Sequence, residues 1–131
     1  MPLTIVNTAR TEPIESRLVE VVTKYHFDQQ GRAPKIVRAH LSSDMVVVYS
    51  SGIFTPTEES LAGTDEGRKL IKSARRELRS ISRKEVEAQI AAIVGCPVLR
   101  SFWDLDVRSA EQVEIYMLAR SFDSASAVTV V

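Results

Sequence analysis

The sequence predicts an α+β domain in which helices pack on one face of a four-stranded, mainly antiparallel sheet. Its 131 residues suit one domain with a hydrophobic core of its own. Apolar residues recur at helical spacing near the start and in the middle of the chain, and a pair of strand-like segments follows each helical region. We therefore expect the order α-β-β-α-α-β-β, with a flexible arm over residues 1–12, the domain over 13–122 and a tail over 123–131.

The first helix is predicted to begin at Pro13, because proline suits the first helical position, where its missing N–H costs nothing. Ile14, Leu18 and Val22 then recur every four residues along one helical face. Gly31 is expected to end this helix, since glycine readily adopts the left-handed conformation of a helix C-terminus.

The segments that follow have the two-residue period of strands. Residues 36–41 alternate in polarity, and the β-branched run Met45–Tyr49 predicts a buried strand, so the two form a hairpin that closes near Gly52. In the second half of the chain, Val98–Val107 and Gln112–Arg120 predict another hairpin.

Two capping boxes predict where the middle helices begin. Thr55 and Glu58 flank Pro56 at the start of a short helix, which Gly63 interrupts. A longer helix is expected from about residue 65, and a second capping box at residues 82–85 predicts that a new or bent helix starts there, with Gly95 at its end. The apolar face of the first part is predicted as Leu70, Ala74, Leu78 and Ile81, and that of the second as Val86, Ile90, Ile93 and Val94.

Charge is strongly segregated in this neutral chain, which has 17 basic and 17 acidic residues. Residues 67–84 contain eight basic side chains and one acidic side chain. Five of the basic residues fall on one helical stripe, opposite the predicted apolar face, and Arg76 adjoins it. The predicted partner-binding residues are Arg68, Lys72, Arg75, Arg76, Arg79 and Arg83.

Such a stripe is typical of a surface that binds an acidic protein, phosphate, nucleic acid or an anionic lipid surface. We favour a protein partner, because zero net charge and the lack of interleaved aromatic residues make nucleic acid the weaker alternative. The alternative to a binding surface is an internal ion network, in which acidic residues of other segments meet the arginines.

Residues that carry chemistry show no spacing typical of an enzyme, a metal site or a cofactor site. His26 and His40 lack carboxylates at ligand spacing, and Cys96 follows a helix C-terminus, where thiol pKa values are not lowered. Asp104 and Asp106 share a strand face. We therefore expect a non-enzymatic protein without metal or cofactor, and a small enzyme using these side chains is the least favoured alternative.

Further expectations concern the environment and the assembly of the chain. A single cysteine and the absence of a signal-peptide pattern favour the cytoplasm, and no apolar run approaches the length of a membrane span. Open sheet edges with β-branched residues favour a homodimer at micromolar concentration, with Lys35 and Arg38 as the alternative, charged guards of the edge.

Several short motifs together resemble a family of small bacterial proteins. They are Gly31-Arg32-x-Pro34, Gly52-x-x-Thr55-Pro56-x-Glu58 and Thr64-x-Glu66-Gly67-Arg68, followed by Arg75 or Arg76 and by Gly95. The family is named for component C of a sodium-translocating, membrane-potential-generating system, and the resemblance covers residues 14–120. Two positions differ from the usual pattern, namely Ala33 in place of a glycine and Phe54 in place of a leucine.

The resemblance implies a soluble accessory or regulatory protein that works beside membrane subunits which move cations or are related to bicarbonate. It implies association with a protein partner and assigns no catalytic residue.

Overall fold

A computed structural model describes the backbone of residues 2–121 and the side chains of residues 13–121. It confirms the predicted α+β class and the predicted order of elements. The elements are α1 (Pro2–Gln30), β1 (Ile36–Ser42), β2 (Met45–Ser51), α2 (Pro56–Leu61), α3 (Asp65–Val94), β3 (Val98–Asp106) and β4 (Glu111–Leu118). The predicted tail at residues 123–131 lies outside the described residues.

The four strands form one antiparallel sheet in the order β1-β2-β4-β3. Each predicted hairpin is present, and β2 pairs with β4 to join them. Buried residues alternate along the two central strands, as at Val46 and Val48 in β2 and at Tyr116 and Leu118 in β4. The helices therefore cover the face of the sheet to which these side chains point.

The core consists of two apolar clusters. The larger lies between α1, the C-terminal half of α3 and the sheet, and includes Leu18, Val22, Val86 and Ile90. The smaller lies around α2 and comprises the four buried residues Ile53, Phe54, Ile71 and Leu105. Helix α3 contributes to both clusters, so it ties the two halves of the domain together.

The start of α1 differs from the prediction. The helix begins at Pro2, and Pro13 lies inside it instead of at its first position. Proline removes one backbone hydrogen bond from a helix interior, so it often marks a helix start without being confined to one. The side chains of residues 2–12 are not described, so the separate arm stays a prediction.

The predicted break at residue 82 is wrong, because α3 is one helix of 30 residues. The Ser82 hydroxyl donates to the Leu78 carbonyl oxygen at 2.8 Å, one turn back, and also meets the Tyr25 hydroxyl at 2.5 Å. A serine bonded in this way leaves the backbone helical instead of capping a new helix. Gly95, with φ of 80°, ends the helix as predicted.

The predicted apolar face of α3 is also wrong in its first half. Leu70 and Ile81 are 53% and 72% exposed, whereas Ile71 and Arg75 are buried. Val86 and Arg75 are 11 residues apart, close to three full turns, so they point the same way in a continuous helix. The strongly apolar second half thus turns the basic stripe toward the sheet.

Candidate functional site

The motif around Thr55 forms the start of α2, and the predicted capping box is present. The Thr55 hydroxyl accepts from the Glu58 amide at 3.3 Å, and the Glu58 carboxylate accepts from the Thr55 amide at 3.0 Å. Pro56 occupies the first turn, where no N–H is needed. This helix start holds the Glu58 carboxylate in one place.

Arg75 from α3 forms a bidentate ion pair with the Glu58 carboxylate. Its Nε and Nη2 atoms each donate to one Glu58 oxygen at 2.7 Å, and Nη2 also donates to the Ile53 carbonyl oxygen at 2.9 Å. The guanidinium lies 5.8 Å from the centre of the Phe54 ring. Burial would raise the pKa of Glu58, but the bonds from Arg75 and Thr55 outweigh it and lower that pKa.

Gly67 and Arg68 fasten the first turn of α3 to α2. The Thr64 hydroxyl accepts from the Gly67 amide at 2.9 Å, and Arg68 Nη1 donates to the Ala62 carbonyl oxygen at 2.8 Å while pairing with Asp65. A Cβ atom at Gly67 would lie 1.8 Å from the Leu61 carbonyl oxygen. Only glycine permits this approach of the two helices, so these motif residues serve the fold.

The remaining motif residues form the connections around β1. Gly31 ends α1 with φ of 74°, and the half-buried Arg32 and Pro34 lead into the strand. Gly52 has φ of 61°, and a Cβ atom there would lie 2.7 Å from the Lys35 side chain. The motifs that carry the family resemblance therefore build turns, caps and two ion pairs.

A second group of polar side chains lies buried between α1, α3 and β4. Glu114 on β4 is 1% exposed, and its carboxylate lies 3.4 Å from both Arg79 Nη1 and His26 Nε2. The Tyr116 hydroxyl donates to it at 3.0 Å. Burial alone would raise the pKa of Glu114, but His26 and Arg79 outweigh it, and the pKa lies below its ordinary value.

The polar side chains of this buried group form hydrogen bonds with one another. The Gln112 amide nitrogen lies 3.2 Å from His26 Nε2, and its oxygen accepts from Trp103 Nε1 at 3.1 Å. Burial is the main cause that raises the pKa of Tyr116 well above its ordinary range, and the negative charge of Glu114 is the second cause. The cavity beside these groups has a volume of about 20 Å³, enough for one water molecule and too small for a substrate.

The structure divides the predicted partner-binding stripe into inner and outer residues. Arg75 and Arg79 point inward to Glu58 and Glu114, which corrects the expectation that the whole stripe faces solvent. Lys72 pairs with Asp104 at 3.1 Å, and Arg83 pairs with Glu87, one turn further along α3. Arg76 remains exposed on the outer side, with its guanidinium 5.9 Å from the Trp103 ring centre.

The outer basic residues line an open groove between α3 and the β3–β4 turn. Its volume is about 580 Å³. Lys69, Arg76 and Arg108 are exposed and form no ion pair with any residue that the structure describes. The charged lining comprises Arg68, Lys69, Lys72, Arg76 and Arg108 against Asp65 and Asp106, a formal charge of +3.

The other candidate residues do not come together. His40 and Asp104 lie on opposite edges of the sheet, whereas Cys96 is buried on the helix side, with its thiol 3.9 Å from the Arg120 carbonyl oxygen. Asp106 accepts from Ser109 in the β3–β4 turn. Among residues 13–121, no three histidine, cysteine or acidic side chains are grouped closely enough to hold a metal ion.

Comparison with known proteins gives the family. A family model described as the Na+-translocating membrane potential-generating system (MpsC) matches residues 10–120. The chain belongs to the MpsC family. It is similar to the uncharacterized protein YbcI of Bacillus subtilis (strain 168), with 31% identity over 110 residues that cover 84% of this chain and 89% of YbcI.

The chain is also similar, at lower identity, to the uncharacterized protein YrhF of the same strain. The two chains are 21% identical over 105 residues, which cover 79% of this chain and 86% of YrhF. No solved structure matches the chain significantly. In the part of this MpsC family member that the structure describes, no helix is both long and apolar enough to cross a membrane.

Sequence reasoning missed Arg108 and Glu114. Arg108 enters the groove because the β3–β4 turn folds toward α3, a contact between distant segments that no local pattern encodes. Glu114 had a weak local signal, since it occupies a strand position whose neighbours two residues away, Gln112 and Tyr116, are also large and able to form hydrogen bonds.

Proposed function

We propose that this protein is a non-enzymatic accessory component of a cation-translocating membrane system, and that it docks on an acidic segment of a protein partner through the groove at α3. The observation that carries the proposal is the set of exposed, unpaired cations Lys69, Arg76 and Arg108 around one open groove. Family membership supplies the class of system.

The groove favours a protein partner for two reasons. Its charge is positive while the whole chain is neutral, so electrostatic attraction is confined to one surface. The half-buried Val107 also contributes to its lining, which gives a docked peptide an apolar contact beside the charges.

A non-enzymatic role is supported by what the buried ionisable groups already do. Glu58 is held by Arg75, and Glu114 is surrounded by Arg79, His26 and Tyr116. These contacts use the side chains to stabilise the fold. The cavity beside Glu114, at about 20 Å³, holds no more than a water molecule.

The decisive experiment compares two charge-matched double variants in the native cell. Lys69→Glu with Arg76→Glu reverses the groove, and Arg17→Glu with Lys84→Glu reverses exposed cations outside it. Affinity purification after gentle membrane solubilisation, with mass spectrometry, should recover a membrane subunit with the wild type and the control variant. The groove variant should lose it, and thermal melting should show that both variants fold.

Two results would contradict the proposal. Equal recovery of the membrane subunit by the groove variant would exclude this surface, and recovery of no membrane protein by the wild type would exclude the accessory role.

The nucleic-acid alternative is tested separately by fluorescence anisotropy with labelled duplex DNA and single-stranded RNA. Binding that weakens by orders of magnitude as salt rises from 50 to about 200 mM would favour that alternative.

A further inference from the structure

The side of the sheet that faces away from α1 and α3 is largely apolar at its centre. Residues that pair across antiparallel strands share a face, so the register places the outward side chains in rows. The central row is His40-Val47-Ile115-Phe102. The neighbouring row nearer the β1–β2 turn is Ser42-Met45-Met117-Arg100. In the neighbouring row farther from that turn, the two middle residues are Tyr49 and Val113. No described element covers these side chains, and Phe102 is 53% exposed.

The two edges of this face carry opposite charges. On β1 the outward residues include Arg38 and His40. On β3 they include Asp104 and Asp106 as well as Arg100, so the formal charge of the β3 edge is −1. Arg38 and Asp104 belong to the same row, Arg38-Tyr49-Val113-Asp104, at its two ends. The Arg38 guanidinium lies over the Tyr49 ring, 4.7 Å from its centre, and pairs with no described carboxylate.

The acidic edge also has an open depression. Its volume is about 190 Å³, and Asp104, Asp106 and Glu111 line it beside Tyr49 and Val113. Asp104 is paired with Lys72, which approaches from α3, but its side chain remains 76% exposed. Glu111 accepts from the Tyr49 hydroxyl and Asp106 accepts from Ser109, so a guanidinium arriving from above the sheet would meet Asp104 as the most available carboxylate.

We propose that this face is a symmetric interface between two copies of the chain, stacked sheet on sheet with the two-fold axis parallel to the strands. That axis lays β1 of one copy over β3 of the other and keeps each row over the same row. Arg38 then faces Asp104 of the partner subunit, twice in the dimer. An axis perpendicular to the strands would instead place the two basic edges together, so the charges select the parallel axis.

The size of the face sets the strength to expect. Four strands and seven residues give a footprint of about 19 by 23 Å per copy, from the usual strand spacing and rise. Two copies contribute roughly 900 Å² of footprint, which is below the roughly 1,200–2,000 Å² of stable specific complexes and in the range of weak, transient ones. The dimer should therefore form in the micromolar range.

Analytical ultracentrifugation of the full chain, from about 1 to 200 μM, tests the assembly. The wild type should pass from monomer to dimer, and Phe102→Glu should remain monomeric throughout. Val47→Glu is a second disruptive variant at the centre of the face. Ile81→Glu is the matched control, because Ile81 is a 72% exposed apolar residue on the far side of α3 and its variant should dimerise normally. Circular dichroism checks that each variant folds.

Charge reversal tests the orientation. Arg38→Glu and Asp104→Lys should each weaken the dimer by tenfold or more, because each homodimer then holds two like-charge contacts. An equimolar mixture of the two variants should recover dimerisation, since both contacts become attractive in the mixed dimer. Weakening without recovery would overturn the parallel arrangement.

Other occupants of the face give different results. The chain after Ser121 starts close to the β1–β2 turn, where the Ser121 hydroxyl lies 3.1 Å from that of Ser43. If residues 122–131 covered the face, the wild type would stay monomeric and a chain ending at Ser121 would dimerise. That result overturns the proposal, as does a wild type that is monomeric at 200 μM or a dimer that Phe102→Glu and Val47→Glu leave intact.

Discussion

Replacing Glu58 with alanine should destabilise the domain by about 3–5 kcal/mol, the usual cost of leaving a buried charge without its partner. Arg75 is 7% exposed, and both of its bonds to the Glu58 carboxylate are 2.7 Å long. In the variant only the Ile53 carbonyl oxygen would remain near the guanidinium as an acceptor. Because small domains are stable by about 5–15 kcal/mol, this loss should be plain in a urea titration.

A double-mutant cycle isolates the ion pair from the cap. Arg75→Met removes the charge while keeping an extended apolar side chain, so Glu58→Ala with Arg75→Met should cost at least about 1.5 kcal/mol less than the two single changes added together. Glu58→Gln keeps an acceptor for the capping box and separates the loss of charge from the loss of the cap.

Lys24 and Asp28 provide the control cycle, because they form an exposed ion pair one turn apart, at 2.7 Å. Exposed pairs of this kind are screened by water and salt, so their coupling energy should not exceed about 0.5 kcal/mol. If the free-energy costs of the Glu58 and Arg75 changes add to within about 0.5 kcal/mol, the two side chains do not form a buried ion pair in solution.

Three further changes test neighbouring features by chemical or thermal unfolding. Thr55→Ala should cost about 1 kcal/mol through loss of the helix cap, and a cost below about 0.3 kcal/mol would show that the cap does not form. Gly67→Ala should destabilise by about 1–3 kcal/mol, because its Cβ would lie 1.8 Å from the Leu61 carbonyl oxygen, whereas Gly63→Ala meets only ordinary contacts and should be close to neutral. Folding lowers the pKa of Glu58 and Glu114, so the two carboxylates should stabilise the fold fully above about pH 4.5, their ordinary pKa. This stabilisation should be lost as pH falls through the lowered pKa values. In the glutamine variants, the free energy of unfolding should therefore fall less steeply at acidic pH.

The element order and the hairpins followed from local patterns, and they were predictable for that reason. The alternation along residues 36–41 and the Thr55 capping box each describe a few neighbouring residues whose preferences the fold keeps. The family motifs were recognisable too. Their structural role was not, because the ion pair joins Glu58 and Arg75, which are 17 residues apart in the sequence.

The orientation of α3 could not be obtained from its first half alone. Leu70 and Ile81 suggested one face, while Val86 and Ile90 determine the opposite one once the helix continues through Ser82. Treating residues 65–94 as a single helix would have put Arg75 on the side of Val86. The acidic partners of the arginines lie on α2 and β4, so their meeting depends on tertiary packing.

The two apolar clusters are separated by a band of buried ionic contacts, and this arrangement affects how the domain opens. Arg75 and Arg79 lie along α3 between the cluster around Ile71 and the cluster around Ile90. The buried apolar residues form two separate clusters, so we expect α2 and the smaller cluster to behave as a separate cooperative unit. We expect amide hydrogens there to exchange through a partial unfolding that leaves α1, β1 and β2 intact, which would let the β3–β4 end of the molecule adjust its shape without global unfolding.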